Sequence, residues 1–302
     1  MVKEGIGVRR GRVKPMDRLT PADFVIAGIL LLIAFLCLTP IWHVAAASFS
    51  QPAQIEQTVG VIWRPKSPTL RGYELVFRNP LLASGYMNTI IYVAGSTALG
   101  LLLTLLGGYL SSRRNAIFAK PFTFMVTFTM FFSGGLIPFY LVVNGLGWVN
   151  TRWALIIPGC LSAYNLIVMR TALKGVPGSM EESARIDGAG DFTVLFRILV
   201  PLCAPVFAVL GMYYAVGAWN SWFNAMIFLQ KRPLFPLQLI LREILVSNEV
   251  NSMISGLHGD TDIYRPLVKY CAIVVATAPI LAVYPFIQRY FIKGVMVGAI
   301  KG

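Results

Sequence analysis

Long uncharged runs alternate with short charged segments along this chain. Six runs, at about 24–49, 88–111, 121–144, 153–169, 201–229 and 270–288, contain no Asp, Glu, Lys or Arg. A helix needs about 20 residues to cross roughly 30 Å of hydrocarbon, so each run predicts a transmembrane helix. The fourth is the shortest, and Arg152 and Arg170 bracket it with stems long enough to carry their charges to the headgroups. The longer runs predict tilt or an interfacial continuation. The expected fold is an all-α polytopic membrane protein with six transmembrane helices.

Charge distribution gives this fold a direction. With the N-terminus inside, 16 of the 26 basic residues fall on cytoplasmic segments and 10 on outer loops, so both termini are expected in the cytoplasm. The expected division is a cytoplasmic tail over 1–23, a membrane domain over 24–293 and a cytoplasmic tail over 294–302. Composition agrees, with 56% apolar and only 13% charged residues in a 302-residue chain. The net charge of +13 is therefore a topology signal, and no nucleic-acid partner is expected. Ala45–Ala47 could suggest a signal-peptidase site, but the preceding apolar run exceeds the 7–15 residues of a signal peptide, so the first span is expected to stay as an anchor.

The spans hold no carboxylate or Lys to bind a coupling ion. His43 lies at the end of the first and reads as an interfacial residue; His258 stands alone. Cys37, Cys160, Cys203 and Cys271 all lie in spans and read as packing residues, since their separations match no metal-ligand spacing. No P-loop, HExxH, CxxC or Ser/His/Asp arrangement is present, so the chain is not expected to be an enzyme or to bind a cofactor. Uphill transport by such a chain requires energy from a partner.

The loop between the fourth and fifth spans, 171–200, carries the most information. Pro177-Gly178 breaks the preceding helix, and Ser179 with Glu182 three positions on predicts a capping box. A helix over Ser179 to Asp187 should end at Gly188, which can adopt the left-handed conformation of a C-cap, and Asp191 should cap the next helix. Ser183 and Ala184 are small enough to let another surface approach. On these residues alone, a well-capped interhelical loop is an equally good reading.

The order Glu182-Ser183-Ala184, three residues, Gly188, nine residues, Ile198-Leu199-Val200-Pro201 resembles the EAA motif of ABC importer permeases, E-A-A-x3-G-x9-I-x-L-P. Ser183 and Val200 depart from it by small changes. Phe132–Pro138, Asn150–Leu155, Trp219–Trp222 and Lys293–Gly302 look like the carbohydrate-importer branch, in particular the maltose-type permease that pairs with a second permease, and its polysaccharide and alginate relatives. The resemblance covers the chain from about residue 24 onward.

That resemblance implies a type I ABC importer permease fold in a bacterial cytoplasmic (inner) membrane. It implies a heterodimer with a second homologous permease, two copies of a cytoplasmic ABC ATPase that holds the ATP and Mg, and an extracytoplasmic solute-binding protein. Ser179, Glu181, Glu182, Ser183, Ala184, Asp187 and Gly188 become the element that docks into the ATPase, with Glu182 either capping its own helix or pairing with a basic residue of that partner. The C-terminal tail, Gly294–Gly302, suits an extended strand and would reach between the ATPase subunits; a frayed terminus is the plain alternative. The outer loop 230–269 would meet the solute-binding protein.

For the solute pathway, Tyr140, Asn144, Tyr164, Asn165, Trp219, Asn220, Trp222 and Asn224 combine aromatic planes with amides, as sugar sites do. Asn220 and Asn224 should share a helix face. The alternative places these aromatics in interfacial belts and the amides in helix contacts. The outer loops carry 10 basic against 6 acidic residues, which would attract an acidic oligosaccharide such as alginate or an acidic partner protein equally well. A non-sugar solute is the second reading. A membrane sensor or polytopic enzyme is the third, and it leaves the loop motif unexplained.

Overall fold

The structure is a computed structural model that describes residues 21–113, 116–246 and 261–299. Those residues are helical with connecting turns, and no β-strand occurs among them. The order is α1 (Pro21–Ser48), α2 (Pro52–Glu56), α3 (Arg71–Phe77), α4 (Pro80–Ser112), α5 (Ala119–Phe131), α6 (Leu136–Gly145), α7 (Trp153–Ile156), α8 (Ala163–Lys174) and α9 (Gly178–Ile186). There follow α10 (Asp191–Thr193), a π-helical turn (Val194–Leu199), α11 (Val200–Leu202), α12 (Ala204–Trp219), α13 (Phe223–Phe228), a 3-10 turn (Arg232–Leu234), α14 (Leu237–Val246) and α15 (Thr261–Ala299).

Three single helices are long and apolar enough to cross a membrane: α1, α4 and the 266–283 part of α15. A fourth candidate is the pair Asp191–Leu202 and α12, bent by 86°. The remaining expected spans are interrupted. The run 121–144 is divided between α5 and α6 by residues 132–135, where Gly135 has φ +83° and its N–H donates to Ser133 Oγ. The run 153–169 is divided between α7 and α8, because Pro158 has no N–H to continue the ladder and Ser162 caps α8 by accepting from Asn165 N–H.

The expected extended tail is also corrected, since α15 stays helical through 294–299. Gly294 and Gly298 each cost about 1 kcal/mol relative to Ala, but a helix already nucleated far upstream tolerates them. In the expected outer loop 230–269, the structure has a 3-10 turn, α14 and the start of α15; its middle, including His258, lies outside the described residues.

Helix α4 is the axis of the packing, flanked mainly by α12 and α8. It permits close approach because its contact positions are small. A Cβ on Gly100 would lie 2.8 Å from the Cys160 carbonyl oxygen and 2.9 Å from the Tyr214 ring. At its N-terminal end, Asn88 Nδ2 donates to Pro233 O (2.6 Å) and Phe235 O (3.2 Å), and Tyr92 OH donates to Leu234 O (2.8 Å). The buried polar residues of α4 thus hold the 3-10 turn and the start of α14.

Two apolar clusters mark the two ends. Val76, Leu237, Ile240, Leu267 and Cys271 belong to one, around α3, α14 and α15. Leu105, Met169, Leu173, Val194, Leu195 and Leu199 form the other, between α4, α8 and the π-helical turn. Cys160, Cys203 and Cys271 are buried free thiols, in keeping with packing roles, while Cys37 is exposed. His43 Nδ1 accepts from Ile62 N–H (3.0 Å), so this histidine fastens the segment after α2 to α1.

Candidate functional site

Helix α9 and the turn after it form a short helix clamped to one end of α4. The start of α9 differs from the expected capping box. Pro177, with φ −58° and ψ 130°, occupies the N-cap position, so the helix begins at Gly178 and Ser179 is already its second residue. No side-chain cap forms, and the Ser179–Glu182 box is not made. Proline, with its fixed φ, takes the non-helical N-cap conformation and has no side-chain acceptor, so the helix starts ahead of the position that Ser179 would need in order to cap it. Glu182 is exposed.

The end of α9 follows expectation closely. Gly188 has φ +83°, its N–H donates to Arg185 O (3.0 Å), and Ala189 N–H donates to Ala184 O (2.9 Å). This pair of bonds is a Schellman cap, with glycine at the left-handed position. Asp191, expected as an N-cap, is instead the first residue of α10, after Gly190 at the cap position. Its carboxylate turns back to accept from Arg185 and from Tyr109 OH (3.1 Å). The Arg185 hydrogen bond first, then that of Tyr109, holds the Asp191 carboxyl below its ordinary pKa.

The strongest tie is one that sequence spacing does not reveal. Arg113, just past α4, makes a two-pronged ion pair with Glu181: Nη1 donates to Oε2, and Nη2 donates to Oε1 at 2.8 Å. The side chains are 24% and 13% exposed, and the guanidinium also lies 4.1 Å over the Tyr109 ring. A shielded bidentate pair of this kind fixes orientation as well as distance. Ala184 and Ala189 close the joint by packing on the Leu105–Leu195 cluster.

What α9 turns outward is the opposite face. Ser179, Glu182, Ser183 and Asp187 are exposed, as are Met180 (51%) and Ile186 (86%). Of the seven sequence-predicted residues, Glu181 and Ala184 face the joint and Gly188 shapes the exit. The other four form a free surface.

The pathway residues do not form one group. Asn165 and Asn224 line a cleft of about 300 Å³ between α4, α8 and α12, together with Tyr92, Ser96, Ser162, Tyr213, Tyr214 and Ser221. Tyr214 OH is held there by Thr104 Oγ1 (2.6 Å) and by Ser162 N–H (3.0 Å). Tyr140 lies elsewhere, stacked on Phe228 at 5.9 Å, and Asn144 is exposed on the same helix. Tyr164 is exposed. Trp219 packs against Tyr86 at 6.5 Å, and Trp222 carries the Arg242 guanidinium at 5.0 Å. Asn220 bonds Val216 O (3.0 Å) at the end of α12. Because α12 stops at Trp219 and α13 starts at Phe223, Asn220 and Asn224 do not share a continuous helix face. The missed residues Tyr92, Ser96 and Tyr213-Tyr214 left a signal, as polar groups at close helical spacing inside uncharged runs. No cluster of three or more His, Cys, Asp or Glu side chains placed to hold a metal ion occurs among the described residues.

Comparison with known proteins identifies relatives over nearly the whole chain. The chain is 38% identical over 283 residues to the polygalacturonan/rhamnogalacturonan transport system permease protein YtcP of Bacillus subtilis (strain 168), covering 93% of this chain and 98% of that one. It is 36% identical over 285 residues to Protein LplC of the same organism, covering 92% and 95%. The fold superposes with a TM-score of 0.84 and 30% identity on a chain of the crystal structure of a bacterial ABC transporter involved in the import of the acidic polysaccharide alginate, covering 91% of this chain and all of that one. Residues 100–297, which include α9, match the family described as binding-protein-dependent transport system inner membrane component, and the chain belongs to that family of ABC importer permeases.

Proposed function

We propose that this chain is the membrane subunit through which an ATP-driven importer passes an acidic oligosaccharide, and that α9 is its coupling helix. The single observation that carries the reading is the two-faced geometry of α9. One face is fixed to α4 by Arg113–Glu181, and the other offers Met180, Glu182, Ser183 and Ile186 to a partner. A lever needs a rigid attachment and a free contact surface, and this helix has both.

In this mechanism the chain crosses the membrane six times with both termini in the cytoplasm, α5–α6 and α7–α8 serving as broken spans. It pairs with a second homologous permease in the bacterial inner membrane. Two ATPase subunits hold ATP and Mg and take up α9; no nucleotide binds this chain. Closure of the ATPases pulls α9, and the ion pair passes the displacement to α4 and thence to α8 and α12. Those three helices line the cleft where Tyr213, Asn165 and Asn224 offer a hydroxyl and amides to a sugar. The outer segment 230–269 receives the solute-binding protein.

Support for an acidic substrate comes from relatives that handle polygalacturonan and alginate, together with the basic outer loops. The test is ATP hydrolysis by the reconstituted complex with its binding protein loaded with neutral or with uronate oligosaccharides. Acidic chains should stimulate hydrolysis several-fold more. Equal stimulation by neutral chains would exclude the acidic specificity.

A further inference from the structure

A second cleft, of about 650 Å³, opens between the end of α4, α5 and α8. Arg113, Lys120, Arg170 and Lys174 line it, and no carboxylate is among its lining residues. The hydroxyls there are already committed as donors to their own helices: Ser111 to Gly107 O, Ser112 to Tyr109 O, Thr123 to Ala119 O and Thr127 to Thr123 O. Arg113 is engaged by Glu181, and Arg170 Nε is pinned to Ser111 O at 3.1 Å, which fixes its guanidinium in the wall. The cleft is therefore a basket of cationic donors suited to a phosphate-type anion.

The wall beside it says which anion. Helix α5 rises from the cleft with Phe124, Met125, Phe128 and Phe131 exposed, Phe124 at 72% and Phe131 at 78%. Phe124, Phe128 and Phe132 form an aromatic ladder, with ring centroids 6.3 Å and then 4.3 Å apart. A free phosphate would gain nothing from this apolar ridge, whereas a phospholipid would seat its phosphodiester in the cleft and its chains along the phenylalanines.

We infer that the cleft between α4, α5 and α8 is a binding site for an anionic phospholipid headgroup, placed beside the Arg113–Glu181 joint so that lipid occupancy stiffens the coupling helix. This rests on the proposed orientation, which puts the cleft at the cytoplasmic leaflet, and on no assumption about the solute. Lysines near an anionic surface each contribute about a fivefold change in affinity. The variants are Lys120→Gln/Lys174→Gln and the control Lys120→Arg/Lys174→Arg.

The test uses the complete importer complex in nanodiscs of phosphatidylcholine with and without phosphatidylglycerol. Native mass spectrometry reads the lipid retained, and binding-protein-stimulated ATP hydrolysis reads coupling. The wild type should retain phosphatidylglycerol over phosphatidylcholine. The double Gln variant should lose about 25-fold of that preference, the Arg control should keep it, and only the Gln variant should lose the rate increase that phosphatidylglycerol confers. Three results would overturn the inference: equal lipid retention by the Gln variant and wild type, displacement of the lipid by inorganic phosphate alone, or loss of the ATPase subunits from the Gln variant with its lipid retained. Because lipid retention is read apart from solute transport, a wrong solute would leave this result intact.

Discussion

Helices α1 and α4 are both long and apolar, yet α1 joins the packing only at its C-terminal end, through Ala46, Ala47 and Ser48, whereas α4 is built in throughout. Along its apolar window α1 has no buried residue, whereas α4 buries positions along its whole length, from Leu82 to Ser111. Hydrophobicity does not separate them, because both satisfy a membrane. What separates them is small and polar side chains at regular intervals. Ser96, Gly100, Thr104 and Gly108 make α4 a surface on which α8 and α12 can seat, Gly85 admits α14, and α1 offers bulky Leu, Ile and Phe to its surroundings. In a bilayer, lipid tails are as apolar as leucine, so close packing and hydrogen bonds decide which helices associate. The contact helix is then also the one that carries the Arg113–Glu181 ion pair at its end.

Breaking the comparison at its strongest point calls for Gly100→Val. The added carbons meet the Cys160 carbonyl and the Tyr214 ring, so we expect a loss of about 3 kcal/mol from overpacking, read as a lowered melting temperature and poor assembly. The next largest effect belongs to the free face of α9. Glu182 does not cap its helix, so Glu182→Gln and Glu182→Ala should both reduce stimulated ATP hydrolysis by about tenfold, the scale of one charge-assisted bond, with helicity unchanged. Loss in the Ala variant alone would return the role to the backbone.

A smaller effect is expected at Asp191. Its carboxyl is held below the usual range by Arg185 and then Tyr109, so its contribution is complete above the unfolded pKa of about 4 and fades as pH falls through the lower folded value. Asp191→Asn should lower the neutral-pH melting temperature slightly, the exposed pair being screened, and leave the acid end of the curve unchanged, so that the acid dependence flattens. Smallest of all is Gly28→Ala on α1. Nothing lies within 4 Å of the added carbon, so melting should stay level or rise slightly through better helix propensity.

These residues also mark how far a sequence can be read. The all-helical class, the long uncharged runs, the short helix between the fourth and fifth runs and the left-handed Gly188 follow from local chemistry and periodicity. Gly134-Gly135 and Pro158-Gly159 carried the signals for the breaks in the third and fourth runs, but an absence of charge masked them. Register was lost at Pro177, where one competing backbone preference displaced a plausible capping box. The Arg113–Glu181 pair was not legible at all, since it joins residues 68 apart and depends on how α9 folds back against α4. Similarly, the cleft draws Tyr92, Asn165, Tyr214 and Asn224 from separate helices, which no single-span pattern contains.

Charge reversal at the joint tests the central claim, that α9 drives α4 through Arg113–Glu181. Binding-protein-stimulated ATP hydrolysis of the full complex should be measured for Arg113→Glu, for Glu181→Arg and for both together. Each single reversal places like charges in a shielded site and should cost on the order of 2 kcal/mol, with at least a tenfold loss of stimulation. The double reversal should regain most of it. Unchanged single variants, or a double variant as impaired as either single, would contradict the account.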